Sequence, residues 1–312
     1  MRFMSKLKAI PLIFTACMLT AGCVKNTVLI KVRSDGSGTI LVTRQFAKQI
    51  VPLLEKQMSQ MKMYQQQAVG TASSIPDNIF FDEESLKNEA GNYGNGVTFD
   101  RAKPYDRDGA KGSVALYSFT DINNVHFGMK SMNPSDKAMI GTHAGKNFGK
   151  DADERSFGFK FSKGPINTLT INIPSYPTTQ TAPISKPKPD SKAIDPQLAM
   201  MMMAAGYGPV TSREEAMQKL FQGMTMSFVI EVEGADVKTD ATYAYKTNKG
   251  NQRIVLLEMN MDIIMATEKG RELMDPDAIT GGGQSQAEIF SQLKDIPGMK
   301  LETKQKVVTT FK

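Results

Sequence analysis

Residues 27–46 read TVLIKVRSDGSGTILVTRQF, and this stretch decides the fold. Two runs rich in β-branched residues, Thr27–Arg33 and Thr39–Phe46, flank the pair Asp35-Gly36. An Asp-Gly pair between two such runs is a strong signal for a β-hairpin. In the first run every second residue is Val or Ile. Because successive side chains of a strand point to opposite faces, this alternation predicts a hairpin with one buried face.

Similar signals recur along the chain. Further strands are predicted over Val97–Ala102, Ser113–Asp121, Ser156–Phe161, Thr168–Ile173, Thr225–Glu233, Thr239–Tyr245, Arg253–Ile264 and Met299–Phe311. Helices are predicted over Pro52–Gln67 and over the Met-rich segment Leu198–Ala205. Another is predicted between the N-cap Asp82 and a stop at Gly91. Two more are predicted to begin at Ser212, which opens a capping box, and at Ser285. Strands dominate and follow one another as hairpins. The sequence therefore predicts an α+β fold of mostly antiparallel sheets, with a few amphipathic helices on one face.

Residues 174–197 differ from the rest, because six of the chain's 15 prolines fall there. Such a composition favours extended chain and is typical of a linker or an exposed loop. It divides the chain into an N-terminal α+β domain over 23–173 and a C-terminal α+β region over 198–312. Whether these are two domains or one stays open at this level.

The N-terminus has the three parts of a secretory signal in order. A basic start is followed by 11 apolar residues, 9–19, which is too short a run to span a bilayer. Small residues and a cysteine come next. Residues 1–22 are therefore predicted to be a signal peptide. The basic residues are Arg2, Lys6 and Lys8, and the cleavage region is Leu19, Thr20, Ala21, Gly22 and Cys23.

The segment Leu19–Cys23 resembles the lipobox of bacterial lipoproteins, with Thr20 where the commonest pattern has Leu. The resemblance implies cleavage before Cys23, a diacylglycerol on its sulfur and an acyl chain on its new amine. No other cofactor is expected. Val24, rather than Asp, follows the cysteine, which by the same resemblance favours the periplasmic face of the outer membrane. The alternative is a secretory signal without lipidation.

The mature chain also resembles a group of uncharacterised bacterial envelope lipoproteins. The resemblance rests on Asp35–Gly38 behind the lipobox, on Phe119–Asn123 and on Ile296–Gly298. It implies no activity and no site. Cys17 falls within the signal, so Cys23 is the only cysteine left and no intramolecular disulfide is expected.

Each catalytic or metal-binding pattern tried fails on a particular residue. An EF-hand alignment of Asp35–Ile40 puts Arg33 and Arg44 at the first and twelfth ligand positions, where calcium needs oxygen atoms. The only histidines, His126 and His143, have no cysteine partner for zinc, and no Gly-x-Ser-x-Gly elbow is present. Ser59 and Lys62 match Ser-x-x-Lys without its companion motifs. No catalytic or metal-binding residue is predicted.

Carboxylates and methionines leave two weaker alternatives open. Asp106 and Asp108, and Asp151, Asp153 and Glu154, lie in polar segments that are typical of solvated loops. Methionine is unusually frequent, at 21 residues, with a run over 200–203 and Met-x-Met pairs at 224/226 and 259/261. Thioethers suit Cu(I), although Met-x-Met on a strand is also what a buried face looks like.

The sequence thus predicts a non-enzymatic envelope lipoprotein that is anchored by Cys23 and presents a surface to a protein or lipid partner. The alternatives are a periplasmic hydrolase with an unidentified carboxylate site and a Met-based Cu(I) binder. Removal of residues 1–22, with three basic and no acidic residues, would lower the net charge from +6 to +3, and this near-neutral balance argues against nucleic acid as a partner. The oligomeric state is not predicted. Four basic residues near the anchor are predicted to face the membrane: Lys25, Lys31, Arg33 and Lys48.

Overall fold

The protein is described by a computed structural model over residues 24–52, 54–56, 58–59, 62, 78–128, 156–174, 194, 196–204, 207–274, 292 and 294–312. Its strands form two sheets. The strands are β1 Val24–Val32, β2 Gly38–Phe46, β3 Thr98–Arg107, β4 Ala110–Phe119, β5 His126–Gly128, β6 Ser156–Ser162, β7 Asn167–Asn172, β8 Thr225–Val232, β9 Lys238–Thr239, β10 Ala244–Lys246, β11 Gln252–Asn260, β12 Met299–Leu301 and β13 Lys306–Phe311.

The predicted first hairpin is confirmed, and its turn depends on Gly36. The backbone N–H of Gly36 donates to the carbonyl of Arg33 at 3.0 Å, and the N–H of Arg33 donates to the carbonyl of Ser37 at 2.8 Å. Gly36 has φ +87°, a conformation that costs a residue with a Cβ free energy. Asp35 accepts from the backbone and the hydroxyl of Ser37. The strand before this turn begins at Val24, three residues earlier than predicted.

The large sheet has eight strands, of which seven follow the order β10-β11-β8-β1-β2-β4-β3. The eighth, β12, pairs with β11 on the same edge as β10. The strand pairs of this sheet are antiparallel except one: β1 and β8 run parallel, with Lys25 opposite Thr225 and Val32 opposite Val232. A hairpin-based interpretation misses this pair, because no short turn can join parallel strands. The fold is α+β, as predicted, with mostly antiparallel sheets.

The small sheet has five strands in the order β5-β6-β7-β13-β9. Strands β6 and β7 form the second predicted hairpin. Strand β13 lies beside β7. Strands from both sides of the Pro-rich segment are thus paired in each sheet, since β1 lies beside β8 and β7 beside β13. The division of the chain at 174–197 stays a prediction.

The helices are short. They are α1 Glu83–Asn88, α2 Pro196–Ala204, α3 Arg213–Phe221, α4 Met261–Met265 and α5 Glu268–Leu273, with 3₁₀ turns at Glu89–Tyr93 and Ile122–Asn124. The described residues between 51 and 62 are also helical. Asp82 caps α1 and Ser212 caps α3, as predicted. No helix in the described residues combines the length and the apolar character needed to cross a membrane.

Several other boundaries also differ from the prediction. The first helix ends at Asn88, a 3₁₀ turn carries the chain past Gly91, and Gly94, with φ +132°, ends it. Strand β11 stops at Asn260, whose side chain accepts from the Ile263 N–H and so caps α4. Residues 239–245 split between β9 and β10, and residues 299–311 between β12 and β13, because each pair serves different sheets. The helix expected after Ser285 lies outside the described residues.

One core lies between the two sheets. Phe228 of β8 stacks on Phe127 at 4.3 Å between ring centroids and meets Phe157 edge-on at 4.9 Å. Buried residues of the helices, among them Met217, Ile264 and Leu273, belong to the same cluster. The opposite face of the large sheet carries both polar and apolar residues, among them Lys31 and Glu231. A cleft described in the next section lies on this face.

Candidate functional site

The predicted anchor lies directly before the large sheet. Cys23 and the cleavage region 19–22 are outside the described residues, and β1 begins at the next residue, Val24. Val24 is opposite Phe46, the last residue of β2. We call this end of the sheet the anchor end and the end at Val32 the distal end. The two ends are about 26 Å apart, at roughly 3.3 Å per residue.

The four basic residues predicted to face the membrane fall into two groups. Lys25 lies at the anchor end, and Lys48 follows β2 there and lies close to Gly109 in the turn between β3 and β4. Lys31 and Arg33 lie at the distal end, about 20 Å further along the strand. The structure therefore brings Lys25 and Lys48 to one end and separates them from the other two.

A second, smaller hydrophobic cluster lies near the anchor end. Its buried members are Ile50, Val51, Leu54 and Phe80. The Lys111 ammonium lies 2.7 Å from a carboxylate oxygen of Glu55 and 5.7 Å from the centroid of the Phe80 ring. This contact, mainly the hydrogen bond with Glu55, raises the pKa of Lys111. An adjoining cleft of about 400 Å³ includes Ser59 and Lys62 in its lining.

The Ser-x-x-Lys match in that cleft lacks the geometry of a nucleophile. The Ser59 hydroxyl donates to the carbonyl oxygen of Glu55 at 2.9 Å, the usual contact of a serine with the preceding turn of its own helix. A serine nucleophile needs its proton accepted by a base. The structure thus gives this match no support as a catalytic pair.

A second cleft, of about 490 Å³, lies at the distal end, and we call it the distal cleft. Its lining consists of Lys31, Glu231, Tyr245, Lys246, Thr247, Asn248, Lys249 and Arg253. Strand pairing builds it, because Lys31 is opposite Glu231, Glu231 is opposite Arg253 and Arg253 is opposite Tyr245. The end of β10 supplies Lys246, and the tight turn after it supplies the remaining residues.

Glu231 is the centre of the distal cleft and is 2% exposed. It accepts from Arg253 Nε at 2.6 Å and from Asn251 Nδ2 at 2.9 Å, and Lys31 Nζ lies 3.2 Å away. Burial opposes its ionisation, yet these hydrogen bonds outweigh burial and hold the pKa of Glu231 below its usual range. The hydrogen bond with Glu231 in turn raises the pKa of Arg253.

Arg44 forms a buried ion pair near the anchor end. Its terminal nitrogens donate to both carboxylate oxygens of Glu89, at 2.9 and 2.7 Å. Burial alone would lower the pKa of Arg44, but the hydrogen bond with Glu89 keeps it above its usual value. Burial also raises the pKa of Tyr93 beside this pair. The arrangement is mostly enclosed, and its role is structural.

The other residues considered for chemistry are dispersed. His126 is exposed on β5, and His143 and the acidic residues 151–154 lie outside the described residues. Asp106 lies in β3, not in a loop, and Asp108 occupies the adjoining turn with φ 54°. Within the described residues no three His, Cys, Asp or Glu side chains could hold a metal ion together.

The methionines are divided between core and surface. Met202 is buried, whereas Met200 and Met203 on the same helix are 73% and 59% exposed. Met259 and Met261 are buried in the core cluster. The described thioethers of residues 200–203 therefore do not converge on one point. The expectation that they form no copper site stays a prediction.

Sequence reasoning missed Glu231 and Glu89. One signal was present for Glu231, since it is the single charged residue in the run Phe228–Val232. A charge inside a buried strand needs partners. Arg253 lies opposite Glu231 in the antiparallel β8–β11 pair. Lys31 lies about 200 residues away in the sequence, and only the parallel pairing of β1 with β8 brings it to Glu231.

No protein-family model matches this chain, and no curated protein sequence matches it. The NMR structure of the folded domain of the LppM protein of Mycobacterium tuberculosis is similar over 76% of this chain and 84% of that one. The identity is 10% and the TM-score is 0.23. With so low a TM-score, nothing about this chain's fold or function follows from the likeness.

Proposed function

We propose that this chain is a bacterial envelope lipoprotein that is anchored by lipid on Cys23 and acts by binding a partner rather than by catalysis. The observation that supports this most directly is that β1 begins at Val24. No tether separates the lipidated residue from a strand in the interior of the large sheet. The anchor end would then lie against the bilayer, and the distal end would face a partner in the envelope.

Charge at the anchor end favours this orientation. Lys25 and Lys48 lie there with Arg107 of β3, whereas Lys111 of β4 is paired with Glu55. Each basic residue near an anionic leaflet contributes on the order of 1 kcal/mol. The acyl chains would supply attachment, since more than one chain suffices for stable anchoring. The basic residues would set the orientation of the body, and the outer membrane is the membrane we propose.

The lipid anchor is tested first. Cys23→Ala should yield an uncleaved precursor or a product without lipid, which metabolic labelling with a fatty acid and mass spectrometry of the N-terminus detect. Fractionation of the wild-type protein between inner and outer membranes tests the location. Mature, acylated Cys23→Ala protein in the membrane fraction would refute the anchoring site.

The orientation is tested with two labels. Gln49→Cys places a fluorophore near the anchor end, and Ser34→Cys places one in the exposed turn at the distal end. On vesicles with a headgroup quencher, the label at residue 49 should be quenched more strongly. Lys25→Gln/Lys48→Gln should reduce that difference on anionic vesicles, and the matched double variant Lys160→Gln/Lys163→Gln should not. Equal quenching at both labels would refute the end-on orientation.

A further inference from the structure

The distal cleft holds more positive charge than the protein itself neutralises. Its lining contains four cationic side chains and one carboxylate, Glu231. Glu231 is engaged by Lys31 and Arg253 together. Lys246, the last residue of β10, and Lys249, in the turn after it, are exposed and form no ion pair within the described part of the chain. Asp236, which pairs with Lys312, is near enough for Lys246 to help lower its pKa, so it offsets part of this positive charge. The cleft is thus electrostatically suited to an anion.

Glu231 also holds the two central cations in position. Arg253 gives its Nε–H to Glu231 and carries four other N–H donors, and its side chain is 36% exposed. Lys31 is 35% exposed and directs part of its ammonium at the same carboxylate. The buried carboxylate therefore fixes both cations at the floor of the cleft. The Arg253 guanidinium also interacts with Tyr245, and the side chains of both cations stay about one third exposed. Such fixed donors lose little freedom when they bind an anion.

The wall of the cleft includes two residues that carry hydroxyl groups, Thr247 and Tyr245. Thr247 Oγ1 is itself buried, so it is not part of the exposed lining. Tyr245, 47% exposed, borders the cleft opposite Arg253. The site thus offers ammonium, guanidinium and hydroxyl groups, which are the groups that bind phosphate.

We propose that the distal cleft binds a phosphate group, either of a soluble phosphate or of a lipid headgroup. A phosphate group fits better than a carboxylate because it offers more acceptor oxygens to the several donors around Glu231, and a phosphate monoester also carries up to two negative charges. This site goes beyond the proposed function and does not depend on the lipid anchor. In the end-on orientation it would lie about 26 Å from the anchor end and face away from the protein's own bilayer.

The test uses the full-length protein as it accumulates in cells, purified in a non-ionic detergent. Calorimetric titration with inorganic phosphate and with glycerol 3-phosphate measures binding of a soluble phosphate. Binding of protein-free phosphatidylglycerol vesicles, against protein-free phosphatidylcholine vesicles, to protein already anchored in phosphatidylcholine vesicles measures binding of a headgroup by the cleft. We expect saturable binding in at least one arm, and the arm that responds identifies the source.

Lys246→Gln/Lys249→Gln should weaken that binding about tenfold or more, because charge-assisted hydrogen bonds are lost. The matched variant Lys160→Gln/Lys163→Gln removes the same charge from the small sheet and should bind as the wild type does. Arg253→Lys keeps the positive charge but loses the planar guanidinium group, which can donate two parallel hydrogen bonds to one anion. This variant should also weaken binding. Circular dichroism checks that each variant is folded.

Three results would overturn the proposal. The first is the absence of saturable binding up to about 10 mM phosphate and on anionic vesicles, which corresponds to a negligible affinity. The second is unchanged binding by a folded Lys246→Gln/Lys249→Gln variant. The third is equal weakening in the Lys160→Gln/Lys163→Gln control, which would mean that only net charge matters.

Discussion

Arg44 and Glu89 are joined across 45 residues of sequence, and their side chains are only 15% and 12% exposed. Two parallel hydrogen bonds give the pair the geometry that makes arginine–carboxylate contacts specific. Arg44 Nε is buried and has no partner in the described residues. An arginine held in this way tolerates the loss of its carboxylate poorly, because the charge would remain buried.

We therefore expect Glu89→Gln to lower the free energy of unfolding by about 2–4 kcal/mol, the cost of leaving a buried charge unpaired. Urea unfolding measures it. The matched control is Asp236→Asn, which breaks an exposed ion pair with Lys312, whose side chains are 65% and 59% exposed. That change should cost much less, because exposed ion pairs contribute little to stability. Equal costs for the two variants would contradict the structural role given to Arg44.

Glu231 should make stability depend on pH in the acid range. Its pKa is lower in the folded protein than in the unfolded chain, where a glutamate titrates near about 4.3. Its stabilising effect is therefore fully present above about pH 4.3 and is lost as pH falls through the folded-state pKa. Glu231→Gln should be less stable than the wild type at pH 7, and the gap should narrow at about pH 3.

Urea midpoints of both proteins at the two pH values measure this gap. Glu258→Gln is the control, because Glu258 pairs with Lys300 at an exposed position and should give a small gap at either pH. If the gap between the wild type and Glu231→Gln stays constant or widens in acid, the folded protein does not hold Glu231 ionised.

Among the elements, the first hairpin depends on Gly36 in two ways. Its φ of +87° is unfavourable for other residues, and a Cβ there would lie 2.6 Å from the ring of Phe161. Gly36→Ala should therefore destabilise the protein by more than the roughly 1–2 kcal/mol of the backbone term alone. Thermal or urea unfolding measures the loss.

Two glycines serve as controls for that experiment. Gly250 has φ +85° and open space around it, so Gly250→Ala should show the backbone term alone. Gly91 has neither a positive φ nor a neighbour within 4 Å, so Gly91→Ala should be close to neutral. If Gly36→Ala lowers the free energy of unfolding no more than Gly250→Ala does, the Phe161 ring moves aside for the new methyl group. The close contact would then add nothing to the destabilisation.

The hairpins were predictable because their signals are local. Asp35-Gly36 and Lys249-Gly250-Asn251 mark turns by the backbone conformations that their residues tolerate, and strand pairs follow from them. The β1–β8 pair has no such signal, since its strands are joined by no turn. The distal cleft was unpredictable for the same reason, because Lys31 meets Glu231 only across that pair.

At the scale of the whole molecule, both sheets combine strands from the two sides of the Pro-rich segment, and one core cluster includes residues of both sheets. We therefore expect the chain to unfold in a single cooperative transition. The protein has no Trp, so site labels are needed: Ser34→Cys reports on the large sheet and Lys163→Cys on the small one. The two labels and circular dichroism should share one urea midpoint. Separate midpoints would mean that the sheets fold independently.

The pairing of β1 with β8 also determines when the large sheet can form during synthesis of the chain. The first strand to be synthesised waits about 200 residues for β8, so it stays unpaired along that edge while most of the chain is made. A strand with an unpaired edge can pair with other chains and aggregate. We therefore expect the incomplete chain to benefit from a chaperone that binds it until β8 has been made. We expect chains arrested on the ribosome before residue 225 to leave β1 sensitive to protease. If the chain is exported, as we propose, this late pairing is an advantage, because the large sheet cannot be completed before the strands β8 and β11 have been made.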